Sequence, residues 1–179
     1  MKRIALAAAL AAFAATPAFA ALKPGQTAPA FTANGYLAGE PVKLSLADSL
    51  KKGPVVLYFF PAAHTSGCNL EAHLFSEAIG DFKAQKATVI GITAGNVDQL
   101  ADFSKETEHC AGKFPVAADP GAKIAKAYDA ILTMKPDWSD RTSYVIAPDG
   151  KVLHAYSKLD PTQHVAETLA AVKAYNAGK

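Results

Sequence analysis

Two periodicities alternate along the chain. Residues 55–60 (VVLYFF) and 87–93 (ATVIGIT) are apolar on both faces, as strands in the middle of a covered sheet are. Between them Leu70, Leu74, Phe75, Ile79 and Phe82 recur at helical spacing and predict a helix from Gly67 to about Phe82. Val97, Leu100, Ala101 and Phe103 predict a second helix ending near Cys110. Residues 114–119 (FPVAAD) read as a short strand and residues 121–129 (GAKIAKAYD) as a short helix. Residues 141–156 (RTSYVIAPDGKVLHAY) read as two strands joined by a Pro-Asp-Gly turn. Residues 31–37 and 41–46 are weaker strand candidates. The tail opens with Asp160 as helix N-cap, Pro161 at the first helical position and Gln163 in a capping-box pattern, followed by an apolar stripe of Val165, Leu169 and Val172. Strands alternating with helices predict an α/β sandwich.

The first twenty residues break this pattern. Lys2 and Arg3 precede an alanine-rich apolar stretch, and Ala-Phe-Ala lies just before Ala21. The stretch is too short to span a bilayer and has the form of a secretory signal peptide. The expectation is an exported protein, periplasmic or secreted, with a single domain over residues 21–179 and no attachment to the membrane after cleavage. The chain carries 18 basic and 16 acidic residues, and Lys2 and Arg3 make up the difference. The part beyond the leader is neutral, with no basic patch, which excludes a nucleic-acid partner. Beyond the leader every basic residue is lysine except Arg141. An isolated arginine in a lysine background fits a task that needs a guanidinium fork.

The chain has two cysteines, Cys68 and Cys110. Export permits a disulfide between them, and a structural staple is one reading of the pair. Cys68, however, falls in the first turn of the helix that follows the buried strand 55–60. Backbone N–H groups there lack helical partners and the helix dipole favours negative charge. A thiol so placed is stabilised as thiolate, the reactive form. Pro61 ends the strand, and Thr65 stands three residues before Cys68, where its hydroxyl can share the same concavity. The plainer alternative is a cysteine that simply packs.

Residues 61–68, Pro-Ala-Ala-His-Thr-Ser-Gly-Cys, resemble the Pro-x-x-x-Thr-x-x-Cys signature of peroxiredoxins. Residues 22–46, 54–61, 114–130 and 141–152 resemble further segments of that family in the expected order. The likeness is strongest to the bacterioferritin-comigratory-protein, or PrxQ, subfamily of the AhpC/TSA family. It implies a thioredoxin-like fold: a central mixed β-sheet flanked by helices. It also implies Cys68 as the peroxidatic cysteine, Pro61 and Thr65 as shapers of its pocket, Arg141 as the residue holding thiolate and peroxide, and Glu71 as a carboxylate supporting that arginine. Many members of the subfamily place a resolving cysteine five residues after the peroxidatic one. Here that position is His73, which leaves Cys110 as the resolving candidate, beside a cycle resolved by an outside thiol or a permanent staple. Ser66 stands where the family usually has proline.

The expected activity is an exported, thiol-dependent peroxidase acting on hydrogen peroxide or organic hydroperoxides through a sulfenic acid and a Cys68–Cys110 disulfide, recycled by an unidentified thiol reductant, as monomer or homodimer and without a cofactor. A thioredoxin-like disulfide oxidoreductase is the neighbouring reading, but Thr-Ser-Gly-Cys lacks the second thiol of Cys-x-x-Cys. A non-catalytic redox or metal-binding module is the third. His64, Cys68 and His73 form a His-x3-Cys-x4-His cluster that matches no metal-ligand spacing, so no metal is expected there. His109, His154 and His164 read as surface or strand-edge residues.

Overall fold

The computed structural model describes residues 21–178, so the leader expected over residues 1–20 lies outside the described residues. At its centre is β3 (Val55–Phe59). It pairs in parallel with β4 (Thr88–Thr93), Leu57 opposite Ile90, and antiparallel with β6 (Thr142–Ile146), Phe59 opposite Thr142. β5 (Val116–Ala118) lies parallel beyond β4. A hairpin of β1 (Thr32–Leu37) and β2 (Glu40–Ser45) closes one edge, and β7 (Val152–Ser157) the other. The sheet is mixed and seven-stranded, in the order β2-β1-β5-β4-β3-β6-β7.

The side-chain alternation of β3 divides the core in two. Val55, Leu57 and Phe59 face a layer containing α1 (Leu46–Leu50) and α4 (Lys123–Ala127), with Tyr128 and Tyr144 filling the space between. Val56, Tyr58 and Phe60 face α2 (Ser66–Ala84), α3 (Leu100–Lys105) and α5 (His164–Ala177). Here Tyr58 stacks on Phe75 with ring centroids 4.4 Å apart, and Phe60 stacks on Phe103 at 5.5 Å. Each fully buried side chain of this size contributes about 1.5–3 kcal/mol. The expected α/β sandwich and the 67–82 helix are present, and the 141–156 hairpin closes at a turn where Gly150 adopts φ +82°.

Three elements differ from expectation. The second weak strand stops at Ser45, whose hydroxyl accepts the amide of Asp48 and starts α1, a helix the apolar pattern did not mark. α3 ends at Lys105 rather than near Cys110: Glu106 and Thr107, three and four residues past Phe103, are polar, Glu106 adopts an extended backbone, and residues 107–113 turn instead. The buried stripe of α5 runs through His164, Thr168 and Val172, with Val165 and Leu169 to its side. Polar residues occupy it because they find partners there: the Thr168 hydroxyl donates to the His164 carbonyl at 2.6 Å. The Asp160 cap is present, over a single 3-10 turn (Pro161–Gln163) that leads into α5.

Two glycines test this packing in opposite directions. A Cβ at Gly91 of β4 would lie 2.9 Å from the buried Tyr58 ring, whereas one at Gly80, on the exposed side of α2, would meet nothing within 4 Å. In urea denaturation, Gly91→Ala is expected to cost about 1–3 kcal/mol. Gly80→Ala is expected to add roughly 0.5–1 kcal/mol through reduced freedom of the unfolded chain.

Candidate active site

The antiparallel pairing of β3 with β6 assembles the site. Because Phe59 lies opposite Thr142, the residue before β6, Arg141, stands beside the loop that leads from β3 into α2. That loop begins at Pro61, whose carbonyl accepts the Thr93 hydroxyl at 3.0 Å, and ends at Thr65, the residue preceding α2. The first backbone hydrogen bond of α2 runs from the Asn69 amide to the Thr65 carbonyl at 2.8 Å. The amides of Ser66, Gly67 and Cys68 precede it and have no helical acceptor of their own.

Cys68 occupies the third position of α2 and is buried. Its sulfur lies 3.5 Å from Nη2 of Arg141. The guanidinium is itself only 5 % exposed and each of its three nitrogens has a different partner. Nε donates to the Leu159 carbonyl at 2.8 Å, Nη1 to the Glu71 carboxylate and Nη2 to the sulfur. Gly67 makes room for it: a Cβ there would lie 3.0 Å from Nη2. Glu71 follows Cys68 by three residues, so both project from one face of α2 toward the same arginine.

Behind Glu71 lies His164, expected at the surface or a strand edge. It is fully buried. Its Nε2 donates to the Lys158 carbonyl at 2.9 Å, which leaves Nδ1 to accept from the Ser143 hydroxyl at 2.8 Å, with Oε1 of Glu71 at 3.4 Å. The signal for its burial was in the sequence: His164, Thr168 and Val172 share one helical stripe. The other expected residues fall as follows. The Thr65 hydroxyl donates to the Ala62 carbonyl at 3.0 Å, so it offers lone pairs rather than its proton to the space before Cys68. Cys110 is not at a helix end; it is a free thiol packed in the same hydrophobic layer as Cys68, and burial pushes its pKa up.

The His64, Cys68 and His73 cluster does not assemble. His64 contacts Gln99 and Glu106, while Cys68 contacts Arg141. His109 is also buried, contrary to expectation, because the turn that follows α3 folds its ring against Phe103 with centroids 5.0 Å apart. His154 lies on the edge strand β7, 3.2 Å from Glu167.

A buried sulfur at a helix start, beside a guanidinium and free amides, is suited to nucleophilic thiolate chemistry with charge developing on a leaving oxygen. Comparisons with known proteins agree with that chemistry. Residues 24–155 match the AhpC/TSA family. The chloroplastic peroxiredoxin Q of Sedum lineare is 32% identical over 152 residues, spanning 84% of this chain and 78% of that protein. A putative peroxiredoxin of Mycobacterium tuberculosis is 32% identical over 154 residues, spanning 82% of this chain and 92% of its own length. Among solved structures, the peroxidoxin BcpB of Mycobacterium tuberculosis superposes with a TM-score of 0.73 at 31% identity, covering 86% of this chain and 97% of that one. The reduced 2-Cys peroxiredoxin of Plasmodium vivax, with a TM-score of 0.76 at 21% identity over 87% of this chain and 97% of that one, shares the fold. Matched over most of its length and set among relatives of the peroxiredoxin Q kind, the chain belongs to the AhpC/TSA family of peroxiredoxins.

Proposed function

We propose that the protein is an exported thiol-dependent peroxidase whose peroxidatic residue is Cys68, with hydrogen peroxide or an organic hydroperoxide as substrate. The observation that carries this reading is the guanidinium of Arg141 at 3.5 Å from the Cys68 sulfur, braced on its far side by Glu71. The thiolate attacks one peroxide oxygen. An S–O bond forms, the O–O bond breaks, and the electron pair leaves on the distal oxygen, which takes up a proton to give water or an alcohol. Arg141 and the amides at the start of α2 stabilise that charge, a contribution worth about 2.7–4 kcal/mol per well-placed donor in comparable sites. The lone pairs of Thr65 can accept the peroxide O–H and fix its orientation.

The product is a sulfenic acid on Cys68. A second thiol condenses with it, forming a disulfide and releasing water. Cys110 is the candidate in this chain, and a thiol reductant from outside then restores both sulfurs. Buried and protonated in this conformation, Cys110 reacts only once its sulfur is freed, as opening of the turn of residues 107–113 would do, and the disulfide then needs the two Cα atoms within about 7 Å. Export rests on the basic and apolar pattern of residues 1–20.

The buried charges around the sulfur set the pH response. Burial pushes the Glu71 carboxyl up to about 8, against the opposing pull of Arg141. Burial also pushes His164 down to about 4, so its imidazole is neutral at pH 7. A histidine depressed in the fold binds its proton first in the unfolded chain, so the stability it contributes is present above pH 6.5 and is lost as pH falls through about 4. A raised carboxyl acts in the other direction between its ordinary value of 4.5 and about 8.

Peroxide consumption by the mature protein with a thiol reductant is expected to vanish in Cys68→Ser. In Arg141→Lys the single-turnover oxidation of Cys68 should slow by about a hundredfold, since a point charge does not reproduce the fork. Cys110→Ser should leave that first oxidation intact while slowing recycling; unchanged steady-state turnover would remove Cys110 from the cycle. Urea midpoints measured from pH 6.5 to pH 4 should fall more steeply for wild type than for His164→Asn, and parallel curves would show that His164 carries no such linkage. Mass analysis of the exported form should find a chain beginning near Ala21, and an intact leader would refute export.

A further inference from the structure

The loop before Cys68 and the turn before Cys110 meet through three side chains that the peroxidase reading does not use. His64 adopts φ +58°, a left-handed backbone uncommon for a residue with a side chain. Its Nε2 lies 2.9 Å from Oε2 of Glu106, and its Nδ1 lies 2.9 Å from Oε1 of Gln99. His109 approaches from the other side, with Nδ1 3.5 Å from the same Glu106 oxygen. Its ring is T-shaped against that of His64, with centroids 5.3 Å apart. His109 is only 7 % exposed, yet among the described residues neither ring nitrogen has a hydrogen-bond partner. A buried polar group left so costs about 1–3 kcal/mol, and a ligand that satisfied it would recover that cost.

We propose that His64, Glu106 and His109 hold one divalent transition-metal cation of the zinc class, tying the Cys110 turn to the Cys68 loop. One donor atom from each residue lies within 4.8 Å of the other two. A tetrahedral ion with ligands at about 2.0–2.2 Å places its donors roughly 3.3 Å apart, so closure takes shifts of about an ångström. Two imidazoles and one carboxylate suit zinc and its neighbours in the transition series; calcium and magnesium favour all-oxygen shells. Gln99 supplies the orienting contact such sites use: its carbonyl accepts Nδ1–H of His64 and leaves the Nε2 lone pair for the ion. Three protein ligands leave one position for water. The consequence for turnover rests on the peroxidase reading: the ion would hold the turn that has to open before Cys110 reaches the sulfenic acid, slowing that disulfide.

The test uses reduced, metal-free protein over residues 21–179 and equilibrium dialysis against Zn2+ or Co2+. One ion per chain is expected, with a tetrahedral cobalt spectrum that lacks sulfur-to-metal charge transfer. Binding should weaken at least tenfold in His64→Gln, a change at an exposed residue, and in His109→Ala, with near-ultraviolet circular dichroism confirming that both variants fold. Cys68→Ser should bind as wild type does. No retained ion, unchanged binding in His64→Gln, or a thiolate charge-transfer band would each overturn the site. Mass analysis after one equivalent of peroxide should show slower Cys68–Cys110 bonding in the zinc-loaded protein, and equal rates would overturn the tie between the two segments. Metal uptake is read without peroxide, so failure of the peroxidase reading and failure of the metal site remain separate results.

Discussion

A guanidinium removed from water is tolerated only when its donors are met, and that requirement organises one end of this molecule. Arg141 meets it with a backbone carbonyl from the segment before α5, a carboxylate from α2 and a sulfur from the first turn of α2. The three partners come from two separate stretches of chain, α2 and the segment before α5, and the packing of α2 and α5 on the same face of the sheet brings them together. Breaking such a buried pair by removing one member leaves an uncompensated charge and costs about 3–5 kcal/mol. The arrangement therefore serves stability and chemistry together: the groups that make the buried arginine acceptable are the groups that aim it at the sulfur.

Much of this was legible in the sequence. The unbroken apolar runs at residues 55–60 and 87–93 announce covered strands, the spacing from Leu70 to Phe82 announces a helix, and the lone arginine in a lysine background announces a task for its fork. What escaped were polar residues whose burial depends on partners distant in sequence. His164 looks like a surface histidine until Ser143 and the Lys158 carbonyl are placed beside it. His109 likewise looks exposed until the turn after α3 folds it against Phe103. Leu46 reads as strand because a two-residue alternation does not reveal that the Ser45 side chain, at the end of β2, caps the next helix. Hydrophobic periodicity reports which faces are apolar; it does not report where a polar side chain finds its hydrogen bonds.

The two cysteines illustrate how position changes the same side chain. Both are buried on the same face of the sheet. Cys68 sits at a helix start facing a cation, whereas Cys110 sits in a turn among apolar neighbours, where burial pushes its pKa up. One faces a guanidinium where it stands, and the other lies among apolar neighbours whose burial of it disfavours the thiolate. On the proposed peroxidase reading, that difference in surroundings makes Cys68 the standing nucleophile and Cys110 the latent one.

The sulfur and its cation are 73 residues apart in the chain, and β6 must align against β3 before they meet. A partly folded chain, with α2 formed but β6 unpaired, would carry a thiol with amides at its back and no positive charge in front of it. Reactivity toward oxidants therefore waits on the pairing of β6 with β3, and the rate at which the thiol gains it reports directly on closure of that central strand pair.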